Sequence, residues 1–428
     1  MIDIVIGADI FFDLFKVSGR IPLGEGLPIL VNSVLGWVVS GRSNRCQPST
    51  TITANVASVT ELHQLMERFW KLEESESSPC YSVEEAACEA HFCQTISRSS
   101  EGRYIVRLPL KDDVIINLGE NRRTAVRRFH LVESRLLRDH RLGQQYRDFM
   151  KEYYELGHMK RVEHNENSIC PTYHLPHHAV VREDSTTTKV RVVYDASCKT
   201  SSGLSLNDAM LVGPIVQDDL RSIVIRSRVH PVMLIADIKQ MYRQVLVDVR
   251  DTPLQRIVWR EAPDLTLETY ELQTVTYGTA SAPFLATRVL RQLADDEQRN
   301  FPEAAEVLRN DFYVDDLFSG GNNVPETINL QSLLKRGGFM LRKWASNESA
   351  VLEGISEEDK ALRQSVDLDR DQLIKTLGLH WKPTADVLRY NVKLPQSEPT
   401  EKLTKRLALS YIAQLFDPLG LVGPVQGC

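Results

Sequence analysis

The chain has 428 residues, 42% hydrophobic and 25% charged, with a net charge of −6; this composition excludes a disordered chain, and the length allows two to three domains or subdomains. No run of eighteen apolar residues suggests a membrane span, and Asp3, Asp9 and Asp13, with no basic stretch before them, argue against a secretory signal. Seven scattered cysteines without a Cys-x-x-Cys pair indicate reduced thiols in an intracellular, cytoplasmic setting.

Residues 1–42 read as short strands and turns, with apolar segments at 2–9, 28–31 and 36–41, and a linker rich in Ser, Asn, Gln and Thr follows at 42–53. An acidic helical stretch spans 59–76. Cys88, His91 and Cys93 lie close together, but no second half-site follows at zinc-finger spacing, so they read as incidental residues of a short helix. Residues 103–110 are strand-like, and 122–159 have helical periodicity with Arg122, Arg123, Arg127, Arg128, Arg135, Arg138 and Arg141 recurring along it. That basic run is either a phosphate-facing surface in an acidic chain or a solvated helix face.

From residue 180 onward strands and helices alternate: a strand at 190–194, a helix at 218–227, a buried strand at 232–236 ending at Asp237, a turn leading into a helix over 274–294, and a tight hairpin at 312–318. This order predicts an α+β fold, an antiparallel sheet with helices on one face.

Two acidic positions stand against apolar runs. Asp237 follows Val-Met-Leu-Ile-Ala, and the pair Asp315 and Asp316 is flanked by Tyr313-Val314 and Leu317-Phe318, which reads as a hairpin tip with both arms buried. Adjacent carboxylates repel, and a chain tolerates them beside apolar residues most readily when a cation neutralises them. Hard oxygen ligands suit Mg²⁺. On the residues alone, a metal site and a surface turn both remain open.

Tyr313-Val314-Asp315-Asp316 resembles the Tyr-x-Asp-Asp motif of reverse transcriptases. Asp237 with Tyr242 five residues on is similar to their motif A, and Tyr277-Gly278 through Pro283 to motif B, with Tyr277 where many relatives carry Phe or Gln. About 78 residues separate Asp237 from Asp315, the size a palm subdomain requires. Lys189 through Arg191 to Ser197 resembles their fingers strand, whose basic residues grip the incoming triphosphate, Gly338 through Lys343 to Asn347 is similar to motif D, and Leu377-Gly378-Leu379-His380-Trp381 looks like the primer-grip hairpin. The spellings of 191–197, 341–347 and Phe416 to Leu421 together resemble the Bel/Pao class of long-terminal-repeat retrotransposons, a match over roughly residues 60–428. Ile4 to Asp9, Leu35-Gly36-Trp37 and Ser40-Gly41 look like the C-terminal half of a retropepsin-type aspartic protease; the Asp-Thr/Ser-Gly triad is missing, so Asp9 is taken as structural.

The resemblance implies an RNA-directed DNA polymerase with right-hand fingers and palm. It divides the chain into a protease remnant (1–42), a linker with a helical extension (43–100), fingers and palm (101–350), and a primer-grip hairpin with the start of a thumb or connection region (351–428). Asp237, Asp315 and Asp316 would hold two Mg²⁺ ions, or Mn²⁺ in their place, with Lys343 as the proton donor to the leaving pyrophosphate. Arg182, Lys189, Arg191, Tyr242, Tyr277 and Gly278 would bind the nucleotide, and residues 377–381 would grip the primer. Tyr242 is either a steric gate under the sugar or a core tyrosine. The implied partners are an RNA or DNA template with its primer and deoxynucleoside triphosphates, with no membrane. Two other readings stand beside it: a catalytically inactive fragment or degraded copy of a retroelement polyprotein, and an aspartic protease, which the missing triad disfavours.

Overall fold

The computed structural model describes residues 15–22, 29–33, 36–40, 81–163, 171–181, 190–321, 325–361 and 373–390. The strand expected at 2–9, the helix at 59–76, Arg182, Lys189 and the Phe416–Leu421 segment lie outside the described residues. The chain divides into two compact units, 1–79 and 80–428. In the first, β1 (Phe15–Pro22), β2 (Ile29–Ser33) and β3 (Gly36–Ser40) form an antiparallel sheet in that order.

The second unit opens with α1 (Val83–Thr95), started by a reciprocal capping box: the Glu85 amide donates to Ser82 Oγ and the Ser82 amide to Glu85 Oε2. The strand-like 103–110 segment is regular only over β5 (Tyr104–Val106), which pairs with β4 (Ser97–Arg98) and is followed by α2 (Asp112–Ile115). The long basic periodicity of 122–159 is two helices and not one, α3 (Arg122–Arg138) and α4 (His140–Glu155). The break falls at Asp139, whose carboxylate accepts the Leu142 amide at 3.0 Å, a local cap that competes with helix continuation. The corner is so tight that a Cβ on Gly143 would sit 2.5 Å from the Leu136 carbonyl. Ala125, Phe129 and Leu136 of α3 face the core, while Arg122, Arg123, Arg127, Arg135 and Arg138 are exposed.

Next come β6 (Met159–Arg161), the antiparallel pair β7 (His177–Val181) and β8 (Val190–Tyr194), and α5 (Leu220–Ser227), capped by Asp219. Then follow β9 (Val232–Ile238), the one-turn α6 (Met241–Gln244), β10 (Leu246–Val247), β11 (Arg256–Trp259), β12 (Glu268–Leu272), α7 (Ala282–Glu297) and α8 (Pro302–Asn310). The order continues with β13 (Phe312–Tyr313), β14 (Asp316–Gly321), α9 (Pro325–Arg336), β15 (Leu341–Ser346) and a meander of β16 (Ile374–Thr376), β17 (Leu379–Lys382) and β18 (Val387–Tyr390).

The central sheet has the order β13-β14-β9-β15, antiparallel throughout. Strand alternation sends Leu234, Ala236 and Ile238 of β9 into the larger core with Leu285 and Leu293 of α7, Leu308 of α8 and Leu333 of α9. Met233 and Ile235 point the other way, into a second core with Ile223 and Val224 of α5, Phe318, and Leu379 and Trp381 of the meander. The sheet is therefore covered on both faces, where helices on one face were expected. The continuous apolar run before Asp237 is the mark of a strand buried on both sides.

Candidate active site

Asp237 falls on the second-core face of β9, two residues past Ile235, and is itself buried. Its partner directly across the strand pair is Asp316, and such opposite residues place their side chains on one face with Cβ atoms about 4.5–5.5 Å apart. Asp315 occupies the hairpin turn between the paired residues Tyr313 and Asp316, and its carbonyl accepts the Ile238 amide at 2.7 Å, which docks the turn on the end of β9. The turn is strained at Val314, a β-branched residue with φ of +57°. Gln217 holds it there, its Oε1 accepting the Val314 amide at 2.8 Å. One arm is less buried than expected: Phe312 is inside, but Tyr313 is 37% exposed.

Burial, followed by the charge of Asp237, raises the Asp315 carboxyl above its ordinary value. Asp316 is pushed up to about 7, by burial first and then by Asp315 and Asp237. Asp237 itself is held by two cations: Arg342 Nε donates to one carboxylate oxygen at 3.0 Å and Lys343 Nζ to the other at 2.8 Å. Adjacent residues of a regular strand point to opposite faces. Here they share one because β15 carries a bulge: Arg342 opposes Asp237 and Ala345 opposes Ile235, so two residues, Lys343 and Trp344, occupy the space of one. Lys343 takes the left-handed conformation, φ +55°, that such a bulge uses to re-aim a side chain.

The three carboxylates fit a hard divalent cation in kind. In the arrangement seen, Asp237 is turned to Arg342 and Lys343, and among the described residues no three His, Cys, Asp or Glu side chains converge as a metal-holding group. Cys93 Sγ donates to Glu89 Oε1 at 3.4 Å.

Beside the acids stands Tyr242, half-buried on α6, its hydroxyl raised by burial and next by the charge of Asp315. Its ring meets Tyr277 edge to face, centroids 6.4 Å apart, and the Tyr277 hydroxyl donates to the Val192 carbonyl at 2.7 Å. Gly278 has a φ of +100°, and a Cβ there would lie 2.3 Å from the Tyr194 carbonyl oxygen, so only glycine fits. Asn207 fixes this turn, donating to the Gly278 carbonyl at 3.2 Å and accepting the Ala280 amide at 2.8 Å. Arg191 is exposed on β8, near enough for its charge to act on the Tyr277 hydroxyl.

Leu377 and Gly378 form the two-residue turn between β16 and β17, with φ of +48° and +79°, the pattern of a type I′ hairpin turn. Leu379 and Trp381 of that hairpin are core residues, Trp381 donating its indole N–H to Asp386 at 3.1 Å, while His380 is half-buried. Gln217, Asn207 and Arg342 did not emerge from the sequence. Each acts by docking onto a distant element, for which a single sequence carries no periodic or spacing signal.

No family model and no curated protein matches the sequence. Among solved structures the chain is similar to a foamy viral protease-reverse transcriptase determined in complex with double-stranded DNA, at 15% identity and a TM-score of 0.40 over 64% of this chain and 41% of that one. The chain thus spans about two fifths of that structure's length.

Proposed function

We propose that the protein is a nucleotidyl transferase of the reverse-transcriptase type, adding deoxynucleotides to a primer 3′-end on an RNA or DNA template. One observation carries the reading: Asp237 and Asp316 are cross-strand partners at the end of a buried sheet, with Asp315 in the adjoining turn and Tyr242 beside it. Asp237, Asp315 and Asp316 would hold Mg²⁺ ions, which supply charge neutralisation for the triphosphate and a lowered pKa for the attacking hydroxyl.

The chain's own groups do the rest. Lys343, which the bulge brings to Asp237, would donate a proton to the leaving pyrophosphate. Arg191, with Lys189 and Arg182, would bind the triphosphate, and the Tyr242 and Tyr277 rings with the Gly278 turn would form the floor for base and sugar. Tyr242 would repel a 2′-hydroxyl by overlap. Residues 377–381 would present the hairpin that grips the primer. The spellings of these segments favour a Bel/Pao-type element, with residues 1–42 as a protease remnant.

Primer extension with Mg²⁺ on RNA and DNA templates tests this. The wild type is expected to extend, and Asp315→Asn to abolish addition with the fold unchanged by circular dichroism. No extension by the folded wild type would instead support a non-catalytic retroelement remnant.

A further inference from the structure

The residue after Tyr242 is an arginine that is buried and whose charge and side chain also act on the Tyr277 hydroxyl. Arg243 is 8% exposed, its guanidinium carbon 4.9 Å from the centre of the Phe149 ring and 4.7 Å from that of Tyr153. Those two rings lie one turn apart on α4 and stack on each other, centroids 5.5 Å apart. Glu152, between them in sequence, reaches Arg243 Nη1 at 3.4 Å and accepts from Gln240 Nε2 at 3.3 Å.

A second arginine works from the opposite end. Arg103, at the start of the β5 segment, donates through Nη2 to the Arg243 carbonyl at 2.7 Å and through Nε to the Gln244 carbonyl at 3.0 Å. These are carbonyls at the C-terminal end of α6, which the helix leaves without internal partners. A four-residue helix cannot hold itself together, because one hydrogen-bonded turn does not offset the cost of fixing its dihedrals. Its entry is also unfavourable, with Gln240 at a φ of +51°. The conformation that carries Tyr242 is therefore imposed from outside, by the two arginines and by the edge of Tyr277.

We infer that Arg243 and Arg103 are positioning residues for sugar selection: together they clamp the turn that carries Tyr242, so that its ring keeps one place beside the acids. This role rests on the polymerase reading, whereas the clamp itself does not. A ring that discriminates by overlap works only if it cannot retreat, so loosening its support should help the substrate that clashed more than the one that fitted.

The test compares Arg243→Met, Arg243→Lys and Arg103→Met with the wild type and with Tyr242→Ala, using two readouts. The first is amide hydrogen exchange over 240–245, with 282–297 as an internal control. The second is the ratio of kcat/KM for deoxy- over ribonucleotides. Arg243→Met should speed exchange in 240–245 alone and lower the ratio roughly three- to thirtyfold, the range that loss of a desolvated cation–π contact corresponds to. Arg243→Lys, which keeps the charge without the planar stack, should fall between. Should Arg243→Met fail to fold, Arg103→Met, which removes only the carbonyl cap, carries the test. Unchanged exchange in both methionine variants overturns the clamp. Faster exchange with an unchanged ratio, while Tyr242→Ala shifts it, overturns the selection role alone. A folded wild type that adds no nucleotide overturns the polymerase reading and the selection role with it, and exchange still decides the clamp.

Discussion

Replacing Asp316 by Asn removes a buried charge without changing side-chain shape, and the consequence for stability can be worked out with its sign. The Asp316 carboxyl titrates at about 7 in the fold against an ordinary 3.8, because burial and the neighbouring Asp315 and Asp237 disfavour its charge. Below 3.8 neither the folded nor the unfolded chain ionises the group, and the fold suffers no penalty. Between the two values the unfolded chain is ionised while the fold keeps its proton, so stability falls as pH rises; above 7 the full cost is present. At about 1.4 kcal/mol for each tenfold change in proton affinity the ceiling is about 4 kcal/mol, and solvent at the end of the sheet reduces it to roughly 2–3 kcal/mol. Urea unfolding in metal-free buffer, followed by the fluorescence of the buried Trp344 and Trp381, should show Asp316→Asn more stable than the wild type at pH 8 and the gap narrowing towards pH 4. Equal pH slopes for the two proteins would refute the argument. Mg²⁺ should recover part of the wild type's deficit at pH 8 and do less for the variant.

Gly278→Ala should cost about 1–3 kcal/mol in the same unfolding assay, since its Cβ would strike the Tyr194 carbonyl and its φ is left-handed. Trp381→Ala should cost about 3–5 kcal/mol, because the fully buried indole fills the second core beneath β9. Lys343→Met should lose about 1 kcal/mol through the weakened Asp237 pair, discounted because the lysine is 44% exposed. Lys343→Gly, which suits the φ of +55°, should recover most of that loss, while nucleotide addition falls in both.

Much of the fold was legible because the strongest signals were local. The apolar run ending at Asp237 is β9, the Asp-Asp pair falls at a hairpin, and the Asp219 cap starts α5 within two residues of its expected place. Errors arose where a local polar contact broke a regular pattern, as when Asp139 split the basic helix, or where tertiary packing added a partner. The second face of the central sheet is closed by α5, just before β9, together with residues 374–388, more than a hundred positions after it, and nothing in the alternation of β9 says what will cover it.

The acidic site shows the same limit more sharply. Asp237, Asp315 and Asp316 could be picked from the sequence because carboxylates beside apolar runs are costly, and the register of β9 and β14 brings two of them face to face. The charge that balances Asp237 could not. Arg342 and Lys343 are consecutive, and in an unbroken strand one would point to each face, so at most one could reach the acid. The bulge gives both to it, and the bulge exists because Arg342 keeps register with Asp237 while Ala345 keeps register with Ile235. What the sequence presents as a simple basic pair is thus, in the fold, a two-armed counter-charge for one carboxylate. A divalent cation at the acids would have to compete with both arms, which links the position of Lys343 to whatever occupies the site.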